Sequence, residues 1–352
     1  MVIKFHTVNL KKKYPLHISR GINDKSQNLF IEIKKDGITA WGESAPGKTE
    51  GASSAKEVKD HLIRLINSDI NTLSIYEVHQ RCKDLNIPPC AQAAIDVALW
   101  DLKAKEAKMS LKDLLGLPSP QVPSSITVGI NPPEIIKERV EIILSNPQVK
   151  ALKIKLGSPK GIEYDQLIYS QVIESAGKSN VAIRVDANGG WSLDEAQFMM
   201  KWLSQRKAEY IEQPLIEGDE DKLKFLFKGR PLPIFIDESC RVAEDVANFH
   251  HNVDGINLKL MKCGGITEAI KILNVAKSHS LKTMIGCMSE SSISISAGAS
   301  ISGIIDYVDL DSHYNLDPDP SEGSEMVNGI TMTNSKYGHG ANLKKEYYDK
   351  ID

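Results

Sequence analysis

The chain has 352 residues, 41% hydrophobic and 25% charged, enough for one large domain or two moderate ones with a sizeable core. Lys plus Arg total 43 and Asp plus Glu 46; the net charge of −3 gives no electrostatic reason to expect nucleic acid or an anionic membrane as partner. No apolar run reaches the roughly 18 residues of a membrane-spanning helix. "MVIKFHTVNL" lacks a signal-peptide core, and five widely spaced cysteines (Cys82, Cys90, Cys240, Cys263, Cys287) fit reduced thiols in a cytoplasm better than a disulfide framework.

The first part reads as strands and then helices. "QNLFIEIKK" and "ITAWGESA" alternate around "DG", a hairpin signal. Residues 54–67, 73–84 and 90–107 have helical periodicity, and in the last Ala94, Ile95, Ala98, Leu99 and Leu102 form one apolar stripe. The three prolines of "GLPSPQVPSS" mark a domain boundary near residue 120. Beyond it come eight short apolar runs, at 125–130, 151–156, 181–186, 209–213, 233–238, 255–260, 282–286 and 305–311. A helical pattern follows each of the first seven; the clearest starts at "SLDE", where Ser192 and Glu195 make a capping box. The alternation predicts a parallel α/β unit repeated in series. Eight strands, with no Gly-rich dinucleotide fingerprint after the first, point to a TIM-like barrel. The tail after about residue 322 has no place in that pattern and is expected to return to the N-terminal part.

Polar residues stand where such barrels carry catalytic groups, at the ends of the strands. Asp186, Glu212 and Asp237 end consecutive strands, 26 and 25 residues apart. Neighbouring strands lie about 4.8 Å apart, so these side chains can converge. Three close carboxylates repel unless a cation neutralises them, and an oxygen-only set fits Mg²⁺. The competing reading is that each acid caps the helix after it. In "ALKIKLG", Lys153 and Lys155 share a face, while Leu152, Ile154 and Leu156 supply the apolar face that packs on helices. Both lysines therefore point into the barrel. Adjacent ammonium groups lower each other's proton affinity, and a neutral lysine amine is a usable base. Lys259, on the sixth strand, lies across the barrel from the second. One lysine on each face of a metal-held carboxylate substrate suits removal and return of an α-proton, hence racemisation or epimerisation, or elimination with one base.

The ordered set "KIK" (153–155), "VDANGGW" (185–191), "IEQPL" (211–215), "IDES" (236–239) and "NLKLMKCGGI" (257–266) resembles the muconate-lactonizing subgroup of the enolase superfamily. The resemblance implies an α+β capping domain, at 1–122 with the returning tail 322–352, over a (β/α)7β barrel at 123–321. It implies Mg²⁺ on Asp186, Glu212 and Asp237, with Lys155 and Lys259 as the acid/bases. Lys153 would touch the substrate carboxylate and bias the acidity of Lys155.

In "VDLDSH", Asp309 and Asp311 share a face and suit a cationic group at the far end of a substrate. The alternative for them is a solvated loop. This pair resembles that of the dipeptide epimerases, where it holds the free α-ammonium. The same resemblance suggests Thr127, Cys287 and Ser289 as substrate contacts. The leading expectation is therefore a Mg²⁺-dependent dipeptide epimerase inverting the C-terminal α-carbon, with Ala-Glu specificity among those admitted. An o-succinylbenzoate synthase or another syn-dehydratase is the second enzyme reading; a barrel that only binds peptides or metal is the non-enzyme one. Capping-domain loops at 16–24 and 42–54 are expected to close over the mouth. Arg20 offers a partner to an acidic side chain or is a solvated charge. The four acids of 317–325 favour a basic substrate or form a solvated linker. A homo-oligomer is compatible with the sequence.

Overall fold

The structure is a computed structural model that describes residues 1–349; of the expected tail, residues 350–352 lie outside the described residues. The N-terminal part is an antiparallel sheet of β1 (Val2–Ile18), β2 (Gly21–Lys35) and β3 (Ile38–Ser44), in that order. Asp36 and Gly37 turn between β2 and β3 with φ of 50° and 80°, the two positive values that a tight hairpin turn of this hand requires. Helices α1 (Ala55–Ile66), α2 (Ile75–Asp84) and α3 (Pro89–Glu106) cover one face of the sheet, and the short α4 (Leu111–Leu114) follows.

One expectation fails here. Segment 16–24 is not a loop: β1 and β2 pair as far as Ile18 and Gly21, so the segment is the tip of a long β-ribbon. A ribbon that projects beyond its sheet is exposed on both faces for much of its length, which leaves no period-two burial to read from sequence.

Eight parallel strands follow: β4 (Ser125–Val128), β5 (Ala151–Lys155), β6 (Ala182–Asp186), β7 (Ala208–Glu212), β8 (Ile234–Ile236), β9 (Gly255–Leu258), β10 (Lys282–Ile285) and β11 (Tyr307–Val308). They pair in sequence order, and a bridge from Ser124 to Val308 brings the last strand back to the first. The connections carry α5 (Pro133–Leu144), α6 (Ile162–Ala176), α7 (Leu193–Ser204), α8 (Leu223–Phe227), α9 (Ala243–Phe249), the single turn α10 (Leu260–Cys263) with α11 (Ile266–Ser278), and α12 (Ser292–Ile301). This is the (β/α)7β barrel expected, with the Ser192/Glu195 capping box in place on α7. Leu152, Ile154 and Leu156 pack outward into the main core between strands and helices, as the apolar face of "ALKIKLG" requires.

After β11 the chain forms two small ribbons, β12 (Ser321–Glu322) with β15 (Asn342–Leu343) and β13 (Glu325–Val327) with β14 (Ile330–Met332). Ala341 and Leu343 pack with Val8, Leu10, Phe30 and Trp41 of the first sheet and Ile293 of α12. Beside them Asp101 of α3, fully buried, accepts from the Trp41 N–H (2.9 Å), the His339 N–H (3.0 Å) and Lys105 Nζ (2.7 Å). One carboxylate thus ties sheet, helix and tail. All five cysteines are free, and among the described residues no helix is long and apolar enough to cross a membrane. Removing a buried charge that satisfies several partners costs about 3–5 kcal/mol. Asp101→Ala should lose that much in urea unfolding; a loss below about 1 kcal/mol would contradict this account of the junction.

Candidate active site

The barrel interior is built in layers two residues apart along each strand. In the lower layer Tyr210, Phe235, Met284 and Tyr307 form an apolar plug, with Tyr210 and Phe235 ring centroids 4.7 Å apart. Two residues further on come Glu212, Asp237, Gly286 and Asp309. Asp186, Glu212 and Asp237 are wholly buried, and an oxygen of each lies within 4.8 Å of the others.

Lysines surround these acids. Lys153 Nζ lies 2.6 Å from Asp309 Oδ2, 2.7 Å from Glu212 Oε2 and 3.3 Å from Asp186 Oδ2. Burial disfavours its charge, but Asp309, Glu212 and Asp186 outweigh that and hold its pKa well above the ordinary lysine value. Lys153 therefore faces three of the protein's own carboxylates. Lys155 Nζ is 2.6 Å from Asp186 Oδ2, and Lys259 Nζ is 2.6 Å from Asp237 Oδ2. Burial acts against the charge of Lys259, and Asp237 more than offsets it, so its pKa is raised. The acids split. Burial and the Asp186 charge push Glu212 up to about 8. Burial opposes ionisation of Asp186 and Asp237 too, but Lys155 and Lys153 draw the first down, and Lys259 and Lys262 the second.

Several residues that hold this cluster were missed from sequence. Asn257, two residues before Lys259, donates to Glu212 Oε1 at 2.8 Å. Lys262, one helical turn after Lys259, puts a second ammonium 2.5 Å from Asp237 Oδ1 and also donates to the Cys240 carbonyl at 3.0 Å. Both lie in the quoted "NLKLMKC", and the offsets of two on a strand and three on a helix were the available signal. Asn188 and Gln213 follow metal-type acids with φ of 45° and 37°, in the left-handed region. Asn188 donates its backbone N–H to Asp186 Oδ1 (2.8 Å), and Gln213 Oε1 accepts the Asp237 N–H (2.8 Å), so each strained turn orients an acid. Gly286 is there for space: a Cβ would sit 3.0 Å from Lys259 Cε and 2.9 Å from Asn257 Nδ2.

A cavity of about 570 Å³ opens above the cluster. Lys153, Lys155, Lys259, Thr127, Cys287, Ser289, Asp309 and Asp311 all line it, together with residues of 16–24 and 42–54. Asp311 Oδ2 accepts the Thr127 N–H at 2.7 Å. Burial, then the Asp309 charge, pushes Asp311 up to about 6. The Cys287 thiol, raised by burial, donates to the Asp309 carbonyl at 3.3 Å. Arg20 reaches Glu238 Oε1 at 2.5 Å and the Asn188 carbonyl at 3.0 Å, pinning the ribbon tip to the acid-bearing turns. The acids of 317–325 do not line this cavity, and Asp319 instead accepts from Ser292 at the start of α12.

Residues 2–116 match the family model "Mandelate racemase / muconate lactonizing enzyme, N-terminal domain" and residues 136–347 match "Enolase C-terminal domain-like". The chain belongs to this family, within the enolase superfamily. It is 55% identical to the hydrophobic dipeptide epimerase of a Flavobacteria bacterium, over 99% of this chain and 100% of that one. It is 54% identical to a hydrophobic dipeptide epimerase of Roseobacter litoralis, over 97% of this chain and 99% of the relative. A crystal structure of the dipeptide epimerase from Enterococcus faecalis, complexed with Mg and the dipeptide L-Leu-L-Tyr, superposes with a TM-score of 0.90 at 29% identity, covering 96% of this chain and 98% of that one.

Two outcomes follow from the geometry. Gly286→Ala should displace Lys259 and Asn257 and lower kcat about tenfold or more, because catalytic geometry tolerates little displacement; unaltered kcat would contradict the packing described. Glu290, buried beside the mouth with Oε1 2.6 Å from the Met288 N–H, is pushed by burial from 4.5 to about 8. Its folded pKa is raised, so the stability it contributes is complete below pH 4.5 and is lost as pH rises through 8. The stability of the wild type relative to Glu290→Gln should therefore fall between those limits in pH-dependent unfolding; a flat difference would refute the assignment.

Proposed function

We propose that the protein is a dipeptide epimerase that inverts the α-carbon of the C-terminal residue by proton transfer between Lys155 and Lys259. The observation that carries this reading is the pair of ammonium groups, on the second and sixth barrel strands, each 2.6 Å from a different carboxylate of one buried acid cluster. A dehydratase needs one such group and a binding module neither. The close relatives named hydrophobic dipeptide epimerases support the same reaction.

Asp186, Glu212 and Asp237 fit Mg²⁺. The donor set is all oxygen and buried; Glu212 Oε2 and Asp237 Oδ1 have ammonium groups at 2.7 and 2.5 Å but no well-aimed hydrogen bond, which leaves lone pairs for a cation. Bound there, Mg²⁺ supplies charge stabilisation for the substrate carboxylate as the α-proton leaves. The protein does the rest. Lys155, as the neutral amine, takes the proton from one face, and Lys259, as the ammonium, returns one to the other. Lys153 supplies a fixed positive charge beneath the substrate carboxylate and beside Lys155. Asp309 is already paired with Lys153, so Asp311 offers the freer carboxylate to the substrate's α-ammonium, with Thr127, Cys287 and Ser289 around it. The paired aspartates disfavour the acidic substrates of an o-succinylbenzoate synthase.

Hydrophobic side chains are the preferred class in this reading. Leu16, Ile18, Ile126 and Met288 line the cavity, while Arg20, the candidate partner for an acidic side chain, is engaged by Glu238. A cytoplasmic location is part of the same reading, supported by five free cysteines. In heavy water with Mg²⁺, a hydrophobic L,L-dipeptide should become a mixture of epimers carrying one deuterium at the C-terminal α-carbon. A chelator should lower the rate at least about a thousandfold, and Mg²⁺ should restore it. Binding without α-exchange, or exchange confined to dipeptides with a C-terminal Glu, would overturn the proposal.

A further inference from the structure

β1 poses a second lysine puzzle. Val8, Leu10 and Lys12 alternate with exposed residues on the inward face of the strand and are 6%, 1% and 7% exposed. Val8 and Leu10 join an apolar cluster. Lys12 continues the same stripe, yet its Nζ is buried and has no hydrogen-bond partner among the described residues. Its neighbours Lys11 and Lys13 are exposed. A buried ammonium without a partner is costly, and such groups are paired or serve a ligand.

Lys12 lines the same cavity as Asp309 and Asp311. Burial pushes its pKa down to about 8, against the opposing pull of Cys287, Asp24 and Asp311. The Lys12 backbone bridges to Leu316, five residues beyond Asp311, which sets it at the end of the cavity that follows the eighth strand. Arg139, whose guanidinium lies 3.4 Å from the Tyr14 ring centroid, adds a second cation to that end. The α-ammonium of a dipeptide is itself positive and needs Asp311. A further cation beside it would meet Lys12 across the same cavity, and like charges a few ångströms apart repel.

We propose that Lys12 is a specificity-determining residue that excludes dipeptides with a cationic N-terminal side chain. The inference rests on the assignment of Asp309 and Asp311 to the substrate ammonium. Attraction alone does not set specificity; a placed repulsion against the wrong ligand does so as well. Among the lysines of "KKK" (11–13), Lys12 is the one turned inward, on the strand that runs beside the segment after Asp311.

The test compares kcat/KM for L-Met-L-Leu and L-Lys-L-Leu, two dipeptides of similar N-terminal length that differ in charge, in the Mg²⁺-loaded enzyme. The wild type should favour the first by about a hundredfold. Lys12→Met should narrow that ratio at least tenfold by gaining turnover of L-Lys-L-Leu. Lys12→Arg, which keeps the charge, and Lys11→Met, which removes a charge from the outer face, should retain the wild-type ratio. Because the readout is a ratio within one protein, a partly misfolded preparation does not imitate it. An unchanged ratio in Lys12→Met, or a wild type indifferent to the two dipeptides, would overturn the role of Lys12. Failure of the wild type to exchange the α-proton of L-Met-L-Leu would instead count against the epimerase reading.

Discussion

The mouth of the barrel depends on the Lys153 ammonium, which holds Asp309, Glu212 and Asp186 within 3.3 Å of one buried charge. Isolated in the interior, any of these groups would shed its charge. Together with Lys155, Lys259, Lys262 and Asp237 they form a cluster of four ammonium groups and four carboxylates, with hydrogen bonds from Asn188 and Asn257 on the remaining lone pairs. Such a cluster stabilises little by itself, because desolvation offsets the Coulomb attraction. What it does is fix positions. The acids cannot relax away from one another, and the two outer lysines are aimed at the point the acids share.

The cap completes what the barrel starts. The ribbon tip carries Arg20, which binds Glu238 and the Asn188 carbonyl, so the lid is tied to the turns that follow Asp186 and Asp237. Ser291 and Asn28 both donate to the buried Glu43 of β3, tying the start of α12 to the sheet. The cavity is therefore lined by cap residues on one side and by the acid and lysine cluster of the barrel on the other, which suits the proposed division between specificity and chemistry.

The barrel was legible in the sequence because parallel strands are buried on both faces and read as short apolar runs. Asp186, Glu212 and Asp237 stood out because they recur at the ends of those runs, and Lys153 and Lys155 because charge is expensive there. The partner of Lys153 was not legible: that Asp309 lies 2.6 Å away depends on how the eighth strand closes on the first, 156 residues along the chain. Asn188 and Gln213 were hidden for another reason. Their role lies in a left-handed backbone turn, which the Asn-Gly of 188–189 permits but does not specify and which a Gln does not announce at all. The β1–β2 ribbon and Lys12 escaped together, since a strand not recognised as one cannot show which of its lysines points inward.

The central claim is that two lysines work from opposite faces of one carbon. It is tested most directly by following α-deuterium incorporation separately from each epimer of a hydrophobic dipeptide, with Lys155→Ala and Lys259→Ala in the Mg²⁺-loaded enzyme. The account predicts that neither variant inverts the centre. Each variant should still exchange the proton of one epimer, and the epimer should differ between the two. Inversion by either variant at the wild-type rate, or exchange of the same epimer by both, would contradict it.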